Sequence, residues 1–347
     1  MMKSHSTEKP SYLGSDKIRG LSDYYHGKKI LVTGSAGSIG SQIVSKLIEM
    51  EPEVIRILDN NETGLFELEQ RFGSEMIRPL VGDVRDIERL KRAVEDVDLV
   101  FHAAALKHVP LCEYNPFEAV KTNVYGTQNL IEACLDEEVE KFILISTDKA
   151  VNPVNVMGAT KLLAERLTTS ANLYKGSRRT AFSVVRFGNV LNSRGSILQV
   201  LREQIKNGGP VTLTDEKMTR FIMSIDSAVE LVLKAAYHAS GGEIFILKMP
   251  SLRIPDLVDV VVEELAPRYG YRPEDIEVEI TERRCGEKLF EELMTHEEEL
   301  KSTETEDMYI IKDGVSNFNS IDYTSKSSDK LDKEDIRRIL REIKYIM

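Results

Sequence analysis

The sequence predicts an α/β chain: a doubly wound parallel sheet followed by a smaller C-terminal lobe. Three observations point there. Short, nearly continuous apolar runs recur as far as residue 247. Longer stretches of helical spacing separate them. Past residue 190 that rhythm gives way to loops rich in Gly, Arg and Thr.

The strands come first. Residues 29–33 (KILVT), 54–58 (VIRIL), 77–81 (IRPLV), 98–102 (DLVFH), 141–145 (KFILI), 182–186 (FSVVR) and 243–247 (EIFIL) are apolar on both faces. Such runs suit a parallel sheet covered by helices on each side. The amphipathic stretches 38–50, 86–95, 116–135 and 155–173 supply those helices and imply right-handed βαβ units. Beyond them, "GNVLNSRGS", "TDEKMTRF" and "ERRCGEK" are loops between single helices. The chain therefore divides into a polar N-terminal arm (1–28), a main domain (29–190 and 221–248), a lobe (191–220 and 249–325) and a C-terminal segment (326–347). That last segment carries a charged helix near 332–345.

Bulk properties narrow the classes. With 347 residues, 41% hydrophobic and 30% charged, the chain is long and apolar enough for a substantial core. A net charge of −11 argues against nucleic acid or an anionic membrane as partner. No apolar run approaches the roughly 18 residues of a membrane span, and the N-terminus lacks the apolar region of a signal peptide. Cys112, Cys134 and Cys285 form no CxxC pair, so neither a disulfide framework nor a zinc site is expected, and a reducing cytoplasm fits.

The stretch "ILVTGSAGSIGSQIV" places Gly34, Gly37 and Gly40 between the first strand and the first helix. Glycines there allow a tight turn, a close approach to a pyrophosphate and close helix–strand packing. The helix N-terminus, with Ser35, Ser38 and Ile39 around it, offers N–H groups to the anion. Asp59, 19 residues past Gly40, ends the second strand beside Asn60. A carboxylate there accepts ribose hydroxyls and repels a 2′-phosphate, which favours NAD over NADP. The main domain therefore reads as a Rossmann-like dinucleotide fold. Asp83 and Val84, ending the third strand, are placed to meet adenine. Ala103, Ala104 and Ala105, after the fourth, are small enough for backbone to lie against a flat cofactor. His102 and His108 have no carboxylate cluster beside them and read as packing or surface histidines, with no metal expected.

With the glycine spacing, "HAAALKHVP", "KTNVYGTQNL", "STDKAVNP" and the later Lys161, the sequence resembles the extended short-chain dehydrogenase/reductases. More narrowly it resembles the bacterial and archaeal UDP-N-acetylglucosamine 4,6-dehydratases of the capsule and flagellin-glycan (CapD-like) type. "RFGNVLNSRGS", "MTRF", "GGEIF" and "RCGEK" continue the likeness to about residue 325. Large relatives in that family carry a membrane-spanning N-terminal region. This chain is similar to the short, soluble members, so the resemblance implies a cytoplasmic homo-oligomer. The family pattern Tyr-x-x-x-Lys is here Met157-Gly-Ala-Thr-Lys161, and Arg-Pro-Gly-Glu-Lys is here Arg284-Cys285-Gly-Glu287-Lys.

The resemblance implies a reaction. A hydride passes from sugar C4 to NAD and returns to C6, while a proton leaves C5 and the C6 hydroxyl departs as water. The family's acid matches Asp148 and its C5 base matches Lys149, which needs a lowered pKa to act so. Lys161 is expected on the nicotinamide ribose, and Ser146 or Thr147 on the C4 oxygen. Lys149, directly or through Thr147 or water, inherits the proton that a tyrosine normally takes. Met157 reads as an apolar filler among these catalytic positions. For the UDP-N-acetylhexosamine itself, Lys107, Asn189, Val190, Arg194, Thr219, Arg220, Arg284 and Glu287 are the expected contacts. The arginine forks would take the phosphates, and Glu287 a ribose. A UDP-sugar 4-epimerase, or an NAD- and UDP-sugar-binding protein without turnover, stays open as an alternative.

Overall fold

The computed structural model describes residues 15–73, 75–282, 286–314 and 323–346. Among the described residues, fourteen strands run in chain order. β1 (Lys29–Thr33), β2 (Val54–Asp59), β3 (Ile77–Val81), β4 (Leu99–His102), β5 (Lys141–Thr147) and β6 (Ala181–Phe187) fall where the apolar runs predict them. β7 (Asn189–Val190), β8 (Val211–Leu213), β9 (Thr219–Met223), β10 (Ile244–Leu247), β11 (Ser251–Arg253), β12 (Val278–Ile280), β13 (Ser302–Glu304) and β14 (Met308–Ile311) follow. The main sheet has the order β13-β14-β10-β6-β5-β4-β1-β2-β3. From β10 to β3 every pairing is parallel. Helices cover both faces, so β4 and β6 are buried at every position.

This strand order reverses between β1 and β4, which opens a crevice at the carboxyl edge of the sheet. The doubly wound, Rossmann-like fold read from the sequence is the fold observed. The helix Ser38–Ile48 follows β1, and Val156–Tyr174 follows β5. The predicted helix over 116–135 is one rod with a wide π turn at Lys121–Tyr125.

A second apolar core lies beyond the sheet. It is built from Leu198 and Leu201 of helix Ile197–Lys206, Val258 and Val261 of helix Ile254–Leu265, and Ile336 and Leu340 of helix Lys333–Glu342. The charged C-terminal helix is therefore part of the lobe, with one apolar edge sealing it. β9 stands between the cores: Phe221 faces the first and Ile222 the second. Residues 302–311, assigned above to the lobe, instead extend the main sheet through the antiparallel pairing of β14 with β10. The polar arm also needs correction. Ser15–Tyr25 is a helix whose Tyr25 is fully buried, its Oη donating to Leu233 O at 2.7 Å.

One charged group ties the helix after β5 and the segment around Leu293 and Glu298 to the main sheet. Arg186 in β6 is 1% exposed. Its Nε and Nη2 donate to Glu165 at 3.1 and 2.6 Å, and its Nη1 and Nη2 to Glu298 at 2.9 and 3.1 Å. Nη1 also donates to Leu293 O at 2.8 Å. All five guanidinium N–H groups are thus used. Glu298 in turn closes the capping box of helix His296–Glu299 with Thr295.

Arg186→Met should leave two buried carboxylates without their cation. We expect a loss of about 3–5 kcal/mol in unfolding free energy, because stranding a buried charge costs that much. Denaturant titration checks this, and a loss as small as an exposed ion pair's, under about 1 kcal/mol, would contradict it.

Candidate functional site

A cleft of about 710 Å³ opens at the carboxyl edge of the sheet, between the main domain and the lobe. One wall is the glycine turn: Gly34, Gly37, Ser38, Ile39 and Gly40 face it. Gly34 has φ +66°, and a Cβ there would come within 2.5 Å of Ala104 N. A Cβ on Gly40 would come within 2.2 Å of Gly34 O. Only glycine fits either place. Gly37 caps the following helix without a side-chain hydrogen bond, so the first-turn N–H groups are left to the cleft. The turn therefore fits a dinucleotide pyrophosphate.

The other expected cofactor residues are distributed around that turn. Ala103 and Ala105 line the cleft, while Ala104 backs Gly34. Asp59 lies just outside the lining. Its Oδ2 accepts from Ala36 N at 3.0 Å and its Oδ1 from Asn61 N at 2.9 Å, so the carboxylate braces the glycine turn. Asn60 and Val84 also lie outside the lining, as does Ser35 beneath the turn. Asp83 is outside it too and is paired with Arg85 at 2.6 Å, which holds its carboxyl below the usual range. His102 is buried between Thr33 Oγ1 (2.7 Å) and Thr127 Oγ1 (3.0 Å). Burial and Lys161 push its pKa down to about 3, so it is a neutral packing residue.

The floor is the end of β5 and the short turn Asp148–Ala150. Asp148 is fully buried behind the lining. Its Oδ1 accepts from Thr147 Oγ1 at 2.8 Å and from Lys149 Nζ at 2.9 Å. Lys149 reaches into the cleft, 3.3 Å from Asn189 Oδ1 and 3.8 Å from Glu291 Oε1. Burial pulls its ammonium down, but Asp148 and Glu291 outweigh that and leave it above the ordinary lysine range. The lowered Lys149 expected from the sequence is therefore not the resting state. The reason is first the adjacent Asp148 and then a second carboxylate, Glu291, which no motif announced.

Helix Val156–Tyr174 brings Met157 and Lys161 to the same wall. Lys161 Nζ donates to Ile145 O at 2.6 Å. Ser146 faces the cleft, but its Oγ donates to Glu165 Oε1 at 2.5 Å, so the hydroxyl is already committed. Met157 is buried with Cys112 and Ala119. Gly158 lets the helix lie against the floor, since a Cβ there would come within 2.2 Å of Lys149 O. Asn123, in the π turn, ties this helix to the loop after β4: it donates to Leu106 O at 3.0 Å and to Thr160 Oγ1 at 2.9 Å. The stretch KTNVYGTQNL held that residue without revealing the role.

The lobe side is less open than the arginine motifs suggest. Arg220 is buried, with Nη1 donating to Thr219 O (2.7 Å) and Nη2 to Lys288 O (2.8 Å). That guanidinium folds the segment Gly286–Glu291 against the cleft rather than presenting a free fork. Thr219 points away, its Oγ1 3.0 Å from Ser325 Oγ. Arg194 crosses to the glycine turn, where its Nη1 donates to Ala36 O at 3.0 Å, and Lys107 Nζ meets Arg194 O at 2.7 Å. Asn189, Val190 and Glu287 line the cleft. Arg284 and Cys285 lie outside the described residues.

Comparison with known proteins agrees with this architecture. The family model described as polysaccharide biosynthesis protein matches residues 30–313. A Methanocaldococcus jannaschii protein named an uncharacterized membrane protein is 69% identical over 94% of this chain and 99% of its own length. Among the described residues, no helix is long and apolar enough to cross a membrane. A Campylobacter jejuni protein named UDP-N-acetylglucosamine 4,6-dehydratase (inverting) is 43% identical over 84% of each chain. The X-ray structure of Pen from Bacillus thuringiensis superposes with a TM-score of 0.90 at 42% identity, covering 93% of this chain and all of that one.

Lys161 supplies a pH test of the site. Burial lowers its pKa to about 8, against the pull of Glu165. Below that pH the ammonium is charged in both folded and unfolded chains. Between about 8 and the ordinary lysine value near 10.4, the unfolded chain still binds the proton that the folded one has released. Stability from this group therefore rises with pH across that window. Lys161→Met should be stabilised relative to the parent at pH 7, and that advantage should shrink by about 2–3 kcal/mol by pH 10. Denaturation at both pH values measures it; a constant difference would show that Lys161 is not held in its depressed state.

Proposed function

Because the chain belongs to the polysaccharide biosynthesis protein family, we propose that it is an NAD-dependent UDP-N-acetylhexosamine 4,6-dehydratase, with UDP-N-acetylglucosamine as its first candidate substrate. The observation that carries this reading is the hydrogen-bonded group Thr147–Asp148–Lys149 on the floor of the cleft, opposite the glycine turn. An acid and a base side by side are what removal of water across C5 and C6 requires. The 43% identical Campylobacter jejuni relative bears the name of that activity.

NAD, held at Gly34, Gly37 and Gly40, would supply reversible oxidation at C4 and reduction at C6. The chain's own residues handle the protons. The C4 hydroxyl proton has a path through Thr147 Oγ1 to Asp148 Oδ1, because that hydroxyl already donates to the carboxylate. Asp148 thereby becomes the acid. Lys149, once neutral, takes the C5 proton, and Asp148 returns its proton to the departing C6 hydroxyl, which leaves as water. Lys149 then gives its proton back to C5. Asp148 ends ionised and Lys149 neutral, as each began the cycle, and the C4 proton has left in the water. No step uses position 157.

Incubation with UDP-N-acetylglucosamine should yield a product lighter by one water in mass spectrometry. Lys149→Met should abolish exchange of the C5 proton with deuterated solvent, and Asp148→Asn should slow water loss, each by roughly 10²–10⁴. Met157→Ala should keep measurable turnover. A product of unchanged mass would point to epimerisation instead, and binding without turnover across UDP-hexosamines would leave a binding protein.

The cofactor has its own check. Asp59→Ser removes both the carboxylate and its brace on Ala36 N, so NAD should bind more weakly and discrimination against NADP should relax. Titration calorimetry measures both, and a preference for NADP in the parent protein would rule the assignment out.

A further inference from the structure

Glu291 belongs to none of the positions through which the function was read, yet it lies against the proton-handling group. Its side chain is 3% exposed and lines the cleft. The backbone fixes it: Glu291 N donates to Ser325 Oγ at 2.9 Å, and Ser325 Oγ is bonded to Thr219 O at 3.2 Å. Its Oε1 is 3.8 Å from Lys149 Nζ and 3.8 Å from Arg220 Nε. Its Oε2 accepts no hydrogen bond among the described residues. A carboxylate so placed gains little from hydrogen bonding, and what it contributes is charge.

The charges around it decide where that contribution goes. Glu291 faces Lys149, Asp148, Arg220 and Lys288, and Lys149 faces Asp148, Glu291 and Arg220. Arg220 has already given its Nη groups to the carbonyls of Thr219, Lys288 and Leu289, which leaves only a through-space attraction to Glu291. Lys149 lies between Asp148 at 2.9 Å and Glu291 at 3.8 Å. An opposite charge at that range favours the protonated amine by roughly one to three pKa units.

We propose that Glu291 is a positioning residue for the proton chemistry: with Asp148 it clamps the Lys149 ammonium at the cleft wall and sets the pH at which that amine is freed to act as a base. The base role rests on the dehydration reading above; the clamp rests on the geometry alone. Lys149 must be neutral to take the C5 proton, so turnover rises with pH through its titration. Removing the Glu291 charge moves that rise to lower pH.

The test follows the Lys149 side chain by NMR in ¹³Cε-lysine protein with NAD bound, its signal identified by absence in Lys149→Met. Glu291→Gln keeps the size and removes the charge, so the Lys149 titration should move down by about one unit or more. Glu291→Asp keeps the charge and should restore most of the difference. The pH dependence of C5 deuterium exchange on UDP-N-acetylglucosamine should move with it. An unmoved Lys149 titration in folded Glu291→Gln overturns the clamp. Should that variant not fold, the reciprocal measurement decides: in Lys149→Met the Glu291 carboxyl titration should rise, and no change there overturns the proposal equally. A parent protein that dehydrates no UDP-hexosamine removes the dehydration reading, while the Lys149 titration still judges the clamp.

Discussion

A guanidinium in the middle of a fully buried strand is tolerated only when every N–H finds an acceptor and the charge finds a counter-charge. Arg186 meets both conditions with Glu165, Glu298 and Leu293 O, and much of the cleft follows from it. Glu165 sits on the helix that carries Lys161, one turn further on. The same carboxylate accepts from Ser146 at the end of β5, just before Thr147, Asp148 and Lys149. Glu298 and Leu293 belong to the stretch that follows Glu291. One buried cation therefore ties together the helix, the strand end and the segment that follows Glu291.

The cationic groups near the cleft divide by what they hold. Arg220 and Arg194 spend their guanidinium groups on backbone carbonyls and shape loops. Lys149 and Lys161 line the cleft from the main domain, and their pKa values are shifted in opposite directions. Lys161 is buried with one distant carboxylate, so desolvation prevails. Lys149 is flanked by two carboxylates, so their attraction prevails over the same desolvation. Two lysines twelve residues apart in sequence are thus tuned in opposite directions by the number of acids within reach.

Much of the main domain was legible because strands buried on both faces must be apolar throughout, and KILVT, KFILI and FSVVR have few other uses. The glycine turn was legible because Gly34 and Gly40 leave no room for a Cβ. The docked N-terminal helix was not, since its anchors, Leu21 and Tyr25, are two scattered residues in a polar stretch. Nor were β13 and β14, whose short antiparallel run reads like a loop. The arginine of FSVVR was a signal that went unused: a charge inside an apolar strand demands a buried partner, though only the fold reveals that the partners are Glu165 and Glu298. Glu291 sits among charged residues in KLFEELMTHEEEL, where nothing separates a buried carboxylate from the solvated ones around it.

Position 157 shows why a missing motif residue is weak evidence by itself. A tyrosine there would add a hydroxyl to the cleft wall, but this chain fills the place with a thioether packed on Cys112 and Ala119. The proton path proposed above starts instead at the end of β5, from Thr147 Oγ1 to Asp148 Oδ1 at 2.8 Å, with Lys149 Nζ bonded to the same oxygen at 2.9 Å. Such a path needs no group from the helix, provided the helix holds Lys161 and leaves the floor undisturbed. Gly158, whose missing side chain admits the Lys149 carbonyl, and Asn123, which fixes Thr160, meet that condition. The helix keeps its shape at the site while the chemistry proposed for it shifts to the strand end.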